Sequence, residues 1–557
     1  FFGPNTSTSN RCMIGGMVGN NSSGTTSIKY GVTRDKVMEI EAVLSDGSEV
    51  IFTSLTEEAF CEKTSLRTLE GSLYKTIETL LTAPGVAEHI RQQYPKPEIH
   101  RRNTGYAVDE LIKLQPFNPH GNPFNFCKLI AGSEGTLAFI TKITLKLDTL
   151  PPKHRVMVAA HFSSIEACCK AVVPLMEHDL YTCEMMDKVI LDCTKNNTAQ
   201  VANRFFITGD PMAVLMLELR DDDPQQLQKK HKALIRMLEA SQLSYAYPSL
   251  YDDAIGKALE LRKAGLGLLG NMVGDKKAVA CIEDTAVALE DLADYIDEFS
   301  VLMEKYDQEA VYYAHAGAGE LHLRPILNLK KDNDIGLFRK ITTDVARLVK
   351  KYKGSLSGEH GDGRVRSEFI GMMIGDENYR ILEEIKTAFD PEHIFNPGKI
   401  TDGLPMDASL RYEAGREEPD IDTMLDFSDS MGILRAAEKC NGSGDCRKTH
   451  HAGGTMCPSY HATRNEKDTT RARANALREF LTHSEQRNRF NHEELKEVFN
   501  LCLACKACSS ECPSNVDVAA LKTEFLYQYQ QANGTTLRDK AFAYHTQFNA
   551  LMSIFPV

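Results

Sequence analysis

Gly15-Gly16-Met17-Val18-Gly19-Asn20-Asn21-Ser22-Ser23-Gly24 places four glycines and four small amide or hydroxyl side chains in ten positions. The composition reads as a loop whose bare backbone N–H groups can approach a pyrophosphate closely, with side-chain donors added. It has neither the G-x-G-x-x-G spacing of a dinucleotide turn nor a Walker loop. Tyr30-Gly31 follows, and a second glycine-rich turn lies at Ala131-Gly132-Ser133-Glu134-Gly135-Thr136-Leu137. Between them, VMEIEAVLS and EVIFTS read as strands joined through an Asp46-Gly47 hairpin turn. KLIAG (128–132) and LAFITKITLKL (137–147) read as a strand pair flanking Gly135.

Beyond residue 150 the pattern changes. HRVMVAAHF (154–162), AVLMLELR (213–220) and AVACIED (278–284) carry strand signals. An apolar-periodic helix is expected from about Ile165 to Met176. Leu289, Leu292, Ile296, Phe299 and Met303 recur at steps of three and four, marking a helix face over 287–303. Strands alternating with long helices predict α+β layers, distinct from the glycine-rich first 150 residues. GREEPDIDTMLDFSDS, within 403–435, reads as an acidic linker.

His315-Ala-Gly-Ala-Gly-Glu-Leu-His322 sets two imidazoles about a glycine-rich strand or turn. Some 40 residues later comes Ser357-Gly358-Glu359-His360-Gly361-Asp362-Gly363. His315, His322 and Glu359 make a sufficient three-ligand set for a divalent ion with open positions, such as Zn, Mn or Fe. His360 is left to move protons, since an imidazole ordinarily titrates near about 6.5. A closed four-ligand structural zinc site is the alternative reading of the same residues.

The fifteen cysteines are unevenly placed. Eight are scattered through the first 281 residues, as expected of small buried apolar side chains, and seven crowd into residues 440–512. Cys502-x-x-Cys505-x-x-Cys508-x-x-x-Cys512-Pro513 is the spacing that wraps thiolates around a cubane cluster. Disulfides are the other reading, disfavoured where no secretory signal is visible. Because a Cys-Pro cysteine serves the other cluster of a two-cluster pattern, Cys502, Cys505 and Cys508 are expected to share a [4Fe-4S] cluster with Cys457. Cys440, Cys446 and Cys512 remain for a second site, with Ser443 where its fourth thiol would stand. That site is expected to be empty or to hold a three-iron or labile cluster.

Taken together these segments resemble known families. The glycine-rich stretches and Asn396-Pro397-Gly398-Lys399 resemble the FAD-binding fold of the vanillyl-alcohol-oxidase/PCMH type. The resemblance implies that Gly15, Gly16, Gly19, Asn20, Asn21, Ser22, Ser23, Gly24, Tyr30, Gly31, Gly132, Ser133, Glu134, Gly135, Thr136 and Asn396 contact FAD. The family's first pyrophosphate loop is expected upstream of Phe1, so the chain is read as a fragment. The histidine motifs resemble those of FAD-linked D-2-hydroxy-acid dehydrogenases, which implies His315, His322 and Glu359 as metal ligands and His360 as base. Arg262 in LELRKAG and Lys277 in GDKKAVA are implied as partners of a second substrate carboxylate. The C-terminal part resembles two-cluster ferredoxins and the electron-transfer subunits of glycolate and glycerol-3-phosphate dehydrogenases.

The fold class expected is therefore α+β. Residues 1–150 form an FAD-binding domain, 151–402 a substrate (cap) and flavin-contact domain, 403–435 a linker, 436–530 a small helical ferredoxin-like domain, and 531–557 the start of a further region. The implied reaction is oxidation of a D-2-hydroxy acid, with D-2-hydroxyglutarate ahead of D-lactate or glycolate. Electrons would pass from FAD to an iron–sulfur cluster and on to a quinone, flavoprotein or other carrier. A flavin/iron–sulfur electron-transfer protein without its own substrate site is the reading from another class. A net charge of −13 disfavours a nucleic-acid surface. No apolar run approaches the roughly 18 residues of a membrane span. A cytoplasmic protein is expected; peripheral contact with the inner membrane and homo-oligomerisation are compatible with it.

Overall fold

The computed structural model describes residues 1–195, 200–269 and 272–554. They form two compact units, one of Phe1–Leu269 and Lys276–Gly415, the other of Gly270–Asp275 and Arg416–Val557. The change of unit at Gly415/Arg416 falls inside the acidic stretch 403–435. The Phe555-Pro556-Val557 terminus lies outside the described residues.

The first unit carries two sheets. The smaller is antiparallel, order β2-β1-β3, from β1 (Val37–Val43), β2 (Glu49–Phe52) and β3 (Phe139–Leu145). Ile40 and Ala42 of β1, with Val50 and Phe52 of β2, turn one face into the core, as the period of two requires. The β1–β2 turn is fixed by Asp46, whose Oδ1 accepts from the Ser48 N–H at 2.9 Å.

Two local expectations do not hold. KLIAG is not a strand: Cys127–Ile130 is a helical turn, its first N–H bonded to Asn125 Oδ1 at 2.8 Å. A run of three apolar residues without alternation specifies neither period. The glycine-rich stretch is not a loop throughout, because Ile14–Asn20 is a helix closed by Asn21 in the left-handed region at φ 52°. Only the turn after it is irregular; propensity is a weak prior once neighbouring chain holds both ends.

The larger sheet has nine strands. Its main path runs β10 (Ile282–Ala286), β12 (Glu320–Leu327), β11 (Ala310–His315), β5 (Thr182–Asp187), β6 (Ala213–Asp221), β4 (His154–Phe162) and β7 (Ser244–Ala246). The short β8 (Ser249–Leu250) pairs with β4, and β9 (Lys277–Ala278) with β12. AVACIED is therefore split. Ala278 faces Ile326 and Ile282 faces Leu323, so four steps on one strand meet three on β12, and the extra residue breaks the ladder. Helices Ile165–Met176, Pro224–Ser241, Leu292–Lys305 and Asp332–Lys351 cover the sheet with apolar faces.

The second unit is helical. Ile433–Glu438, Thr470–His483, Glu493–Asn500 and Val518–Asn533 close over Leu434, Leu477, Leu481, Leu495, Phe499, Leu521 and Phe525. Leu537–Ala543 and His545–Ser553 add two helices with no buried residue. Among the described residues no helix is long and apolar enough to cross a membrane.

Candidate active site and cluster sites

His315 ends β11 and Glu320 opens β12, paired across a tight turn; Tyr313 and His322 pair two residues further in. The turn needs glycine at 319, where φ is 66° and a Cβ would run into the Val287 carbonyl. This hairpin puts both imidazoles on one face of the sheet, since 315 pairs with 320 and 320 shares the side of 322.

Glu359 and His360 reach that face because Asp284 holds their backbone. The Asp284 carboxylate, fully buried, accepts from the N–H groups of Glu359 and His360 and from the Ser357 hydroxyl, each at 2.8 Å. Glu359 Oε1 then lies 3.3 Å from His315 Nε2, 3.9 Å from His322 Nε2 and 3.7 Å from His360 Nε2. Ligand atoms of His315, Glu320, His322 and Glu359 lie within 4.8 Å of one another. Glu320 is inside the motif read from sequence but was not assigned there. A second group, Glu283, His322 and His360, adjoins the first.

The centre is buried and charged. Arg101, 1% exposed, sets Nη1 2.9 Å from Glu320 Oε2 and donates from Nη2 to Glu359 Oε2 at 2.6 Å. Burial opposes ionisation of Glu359, but Arg101 and His315 outweigh it and hold its carboxyl well below the usual range. Burial pushes Glu320 well above that range, and the Glu359 and Asp284 carboxylates add to the rise against Arg101. Burial also drives His322 well below an ordinary imidazole, with His360 and His315 pushing the same way, so it is neutral and fit to be a ligand. Glu320 Oε1 is buried without a hydrogen-bond partner, whereas Oε2 faces Arg101. A buried carboxylate oxygen 3.8 Å from His322 Nε2, grouped with His315 and Glu359, is the chemistry a divalent cation satisfies, so the residues fit one.

Behind His315 stands Glu184 of β5, brought there by the pairing of Ala314 with Met185. Its carboxylate receives His315 Nδ1 at 2.8 and 3.0 Å and forms an ion pair with Arg262. Arg262 is 5% exposed, lies 4.3 Å over the Tyr313 ring and donates to the Ala314 carbonyl. Lys277 is elsewhere: it faces Leu327, five residues along β12 from His322, ~17 Å away at strand rise and on the opposite face. His360 is the open member of the site, its side chain 38% exposed against 13% or less for His315, His322 and Glu359. It stacks on His322 at 5.1 Å, with Nδ1 3.3 Å from Glu283 Oε1.

The glycine-rich segments meet this site. Asn20 Nδ2 donates to the Glu359 carbonyl at 2.7 Å, and the Ser23 hydroxyl to Glu359 Oε2 at 3.2 Å. Asn21 accepts from the Arg34 N–H and donates to Asn103, so Asn21 and Ser23 pin the turn within the protein. The Glu134 carboxylate accepts from the N–H groups of Asp362 and Gly363, and Asn396 Nδ2 donates to the Glu134 carbonyl. Tyr106 and Thr136 join hydroxyls at 2.6 Å, and Ser133 is buried. Tyr30 packs its ring on Phe1 and Tyr181, with Gly31 against Asp35. Gly15, Gly16, Gly19 and Gly135 have open space where a Cβ would sit. A bare backbone face beside the metal-type site fits a flat cofactor.

In the second unit one hollow is lined by Cys457, Cys502, Cys505 and Cys508. Another is lined by Cys440, Ser443, Cys446 and Cys512. Glu511 ties the arm of Cys457 to the helix of Cys508, accepting from the N–H groups of Thr455 and Met456. The first N–H groups of helix Thr470–His483 face Cys457 and Cys446, and those of Val518–Asn533 face Cys508, so positive helix ends point at the sulfurs. Burial raises Cys457 to about 11 and Cys512 to about 11, the latter pushed further by adjacent Cys440 and Cys446. Four converging thiols with N–H donors fit a [4Fe-4S] cluster.

Three family descriptions match successive parts of the chain. The family described as FAD binding domain matches residues 1–53, and that described as FAD linked oxidases, C-terminal domain, matches 151–400. The 4Fe-4S dicluster domain matches 439–517. The chain is 30% identical to a D-2-hydroxyglutarate dehydrogenase of Pseudomonas putida, over 97% of this chain and 56% of that protein. One of Escherichia coli is also 30% identical, over 100% and 58%. A D-lactate dehydrogenase of Archaeoglobus fulgidus is 25% identical, over 70% and 69%. The chain spans a little over half the length of the first two relatives. It thus combines FAD-linked oxidase domains with a 4Fe-4S dicluster domain.

Proposed function

We propose that the chain is the oxidising core of an FAD-dependent, divalent-metal-assisted D-2-hydroxy-acid dehydrogenase, with D-2-hydroxyglutarate as its substrate. The observation that carries this reading is the convergence of His315, His322 and Glu359 on one point beside Asn20 and Ser23 of the glycine-rich segment. The names of the relatives favour a dicarboxylate over lactate.

When bound, FAD supplies the two-electron acceptor, a divalent cation supplies a Lewis acid for the substrate's oxygens, and the Cys457 cluster supplies a one-electron outlet toward a further carrier. The protein's own part is positional. His315, His322 and Glu359, with Glu320 behind them, hold the cation. Glu184 fixes His315 with Nε2 forward. Glu283 stands at His360 Nδ1, so Nε2 is the basic nitrogen and takes the proton of the α-hydroxyl. Arg262 serves by holding Glu184. The depth of the site keeps bulk water from the charged groups.

The test is anaerobic mixing of the flavin-loaded protein with a panel of D- and L-2-hydroxy acids while flavin absorbance is followed. D-2-hydroxyglutarate should bleach it fastest. Faster bleaching by D-lactate or glycolate would move the substrate, and no bleaching by any acid would favour an electron-transfer protein without its own substrate site.

A further inference from the structure

The two cluster hollows are built on one plan with one difference. Cys502, Cys505 and Cys508 are spaced by three, and so are Cys440, Ser443 and Cys446. Each triplet is completed by a Cys-Pro cysteine from the other half of the module, Cys457 for the first and Cys512 for the second. The second hollow has features that iron–sulfur sites use. Cys440 and Cys446 are 7% and 5% exposed, and Asn475 Nδ2 points at Cys440 Sγ from 3.7 Å. The Arg471 N–H faces Cys446, and those of Ser514 and Val516 face Cys512. Donors aimed at three sulfurs that line one hollow are more than a collapsed remnant would keep. Ser443 and Asp445 line the hollow beside those cysteines.

We propose that the second hollow binds a cluster with three irons held by Cys440, Cys446 and Cys512 and a fourth, exchangeable iron at the Ser443 corner. Thiolate is the softer and more readily ionised donor, whereas a serine hydroxyl stays protonated near neutral pH, so the oxygen corner holds iron least firmly. Under a one-electron oxidant such as ferricyanide the four-iron core loses that corner. One ferrous ion leaves, one electron goes to ferricyanide, and the core passes from two positive charges to one as [3Fe-4S]. Ferrous iron with a reductant reverses the step. The Cys457 site, with thiols at all four corners, keeps its iron. The inference rests on the iron–sulfur reading of the module and is independent of the substrate.

The experiment uses the full chain, purified anaerobically. After ferricyanide, electron paramagnetic resonance should show a three-iron signal approaching one spin per chain, with about seven irons bound. Ferrous iron and dithionite should remove the signal and bring the count to about eight. Ser443→Cys should hold about eight irons through the ferricyanide step and show no three-iron signal. Cys512→Ser should lose the signal yet keep the reducible four-thiolate cluster. Wild-type protein with about four irons and no three-iron signal, or with about eight retained through oxidation, would overturn the proposal. Failure of substrate to bleach the flavin while the three-iron signal is present would count against the proposed function and leave this inference standing.

Discussion

Glu184 grips the rear nitrogen of His315, with Oε2 2.8 Å from Nδ1, while His315 Nε2 faces Glu359 Oε1 at 3.3 Å. A carboxylate on the far nitrogen fixes both the ring and its tautomer, which raises the basicity of the ligating side. Glu184→Gln keeps a carbonyl that can receive Nδ1–H but removes the charge. Divalent-metal affinity should fall by about 10–100-fold with FAD retained. A metal titration of the stripped, flavin-loaded variant checks this, and unchanged affinity would remove Glu184 from the site.

Arg262 supplies the counter-charge to Glu184, so its substitution acts through His315. Arg262→Ala should lower flavin reduction by a monocarboxylate and a dicarboxylate in similar proportion. Arg262→Lys should recover part of the loss, since charge returns without the planar fork. Stopped-flow reduction by D-lactate and D-2-hydroxyglutarate separates the cases. A loss confined to the dicarboxylate would place Arg262 on the substrate's remote carboxylate instead.

What the sequence disclosed follows from how far apart the partners lie along it. His315 and His322 sit on one hairpin, Glu359 and His360 are adjacent, and Cys502, Cys505, Cys508 and Cys512 follow at steps of three and four, so short-range pattern suffices. Glu184, Glu283, Asp284 and Arg101 were missed because each becomes relevant only through pairing across long stretches of chain. Glu184 faces His315 through the β5–β11 ladder, and Asp284 gathers residues 357–360 from over 70 positions away. A faint signal was available: acids in the strand-like runs TCEMMD and AVACIED occupy core positions, where a charge without a partner is costly. The helix at Ile14–Asn20 left no such mark, since glycine content argues for a loop and only the surrounding chain overrides it.

His360 is separable from the ligands because it is the exposed member and its Nδ1 is covered by Glu283. His360→Asn should keep metal and FAD while flavin reduction slows by on the order of 10²-fold. Rapid mixing with substrate, beside metal analysis of the same sample, checks both halves. Loss of metal together with the rate would make His360 a ligand in the adjoining Glu283–His322–His360 group.

Lys386 ties the Thr136 turn to the Phe395–Asn396 segment, the two stretches proposed to meet the flavin. Its Nζ donates to the Thr136 carbonyl at 2.7 Å and the Phe395 carbonyl at 2.9 Å, and pairs with Asp390, whose carboxylate also receives the N–H groups of Ile394 and Phe395. Burial pushes the Asp390 carboxyl up, but Lys386 and those donors outweigh it and hold it below the ordinary 3.8. A depressed folded pKa contributes stability that is fully present above the unfolded value and is lost as pH falls through the folded one. Lys386→Met removes the cation and leaves a buried carboxylate without it, at a cost of about 3–5 kcal/mol near pH 7. The same change frees the Thr136 turn, so FAD should dissociate faster. Asp390 becomes protonated as pH falls through the ordinary 3.8 and then through the depressed folded value, and a neutral carboxyl needs no cation, so the difference from wild type should hold from pH 7 down to about 4 and shrink below it. Urea unfolding of both proteins at several pH values, with flavin release timed in parallel, tests the pair of effects. A stability difference that stays constant below the ordinary 3.8 as well would show that the Lys386–Asp390 charges do not set it, and unchanged flavin release would leave Lys386 without a part in holding the cofactor.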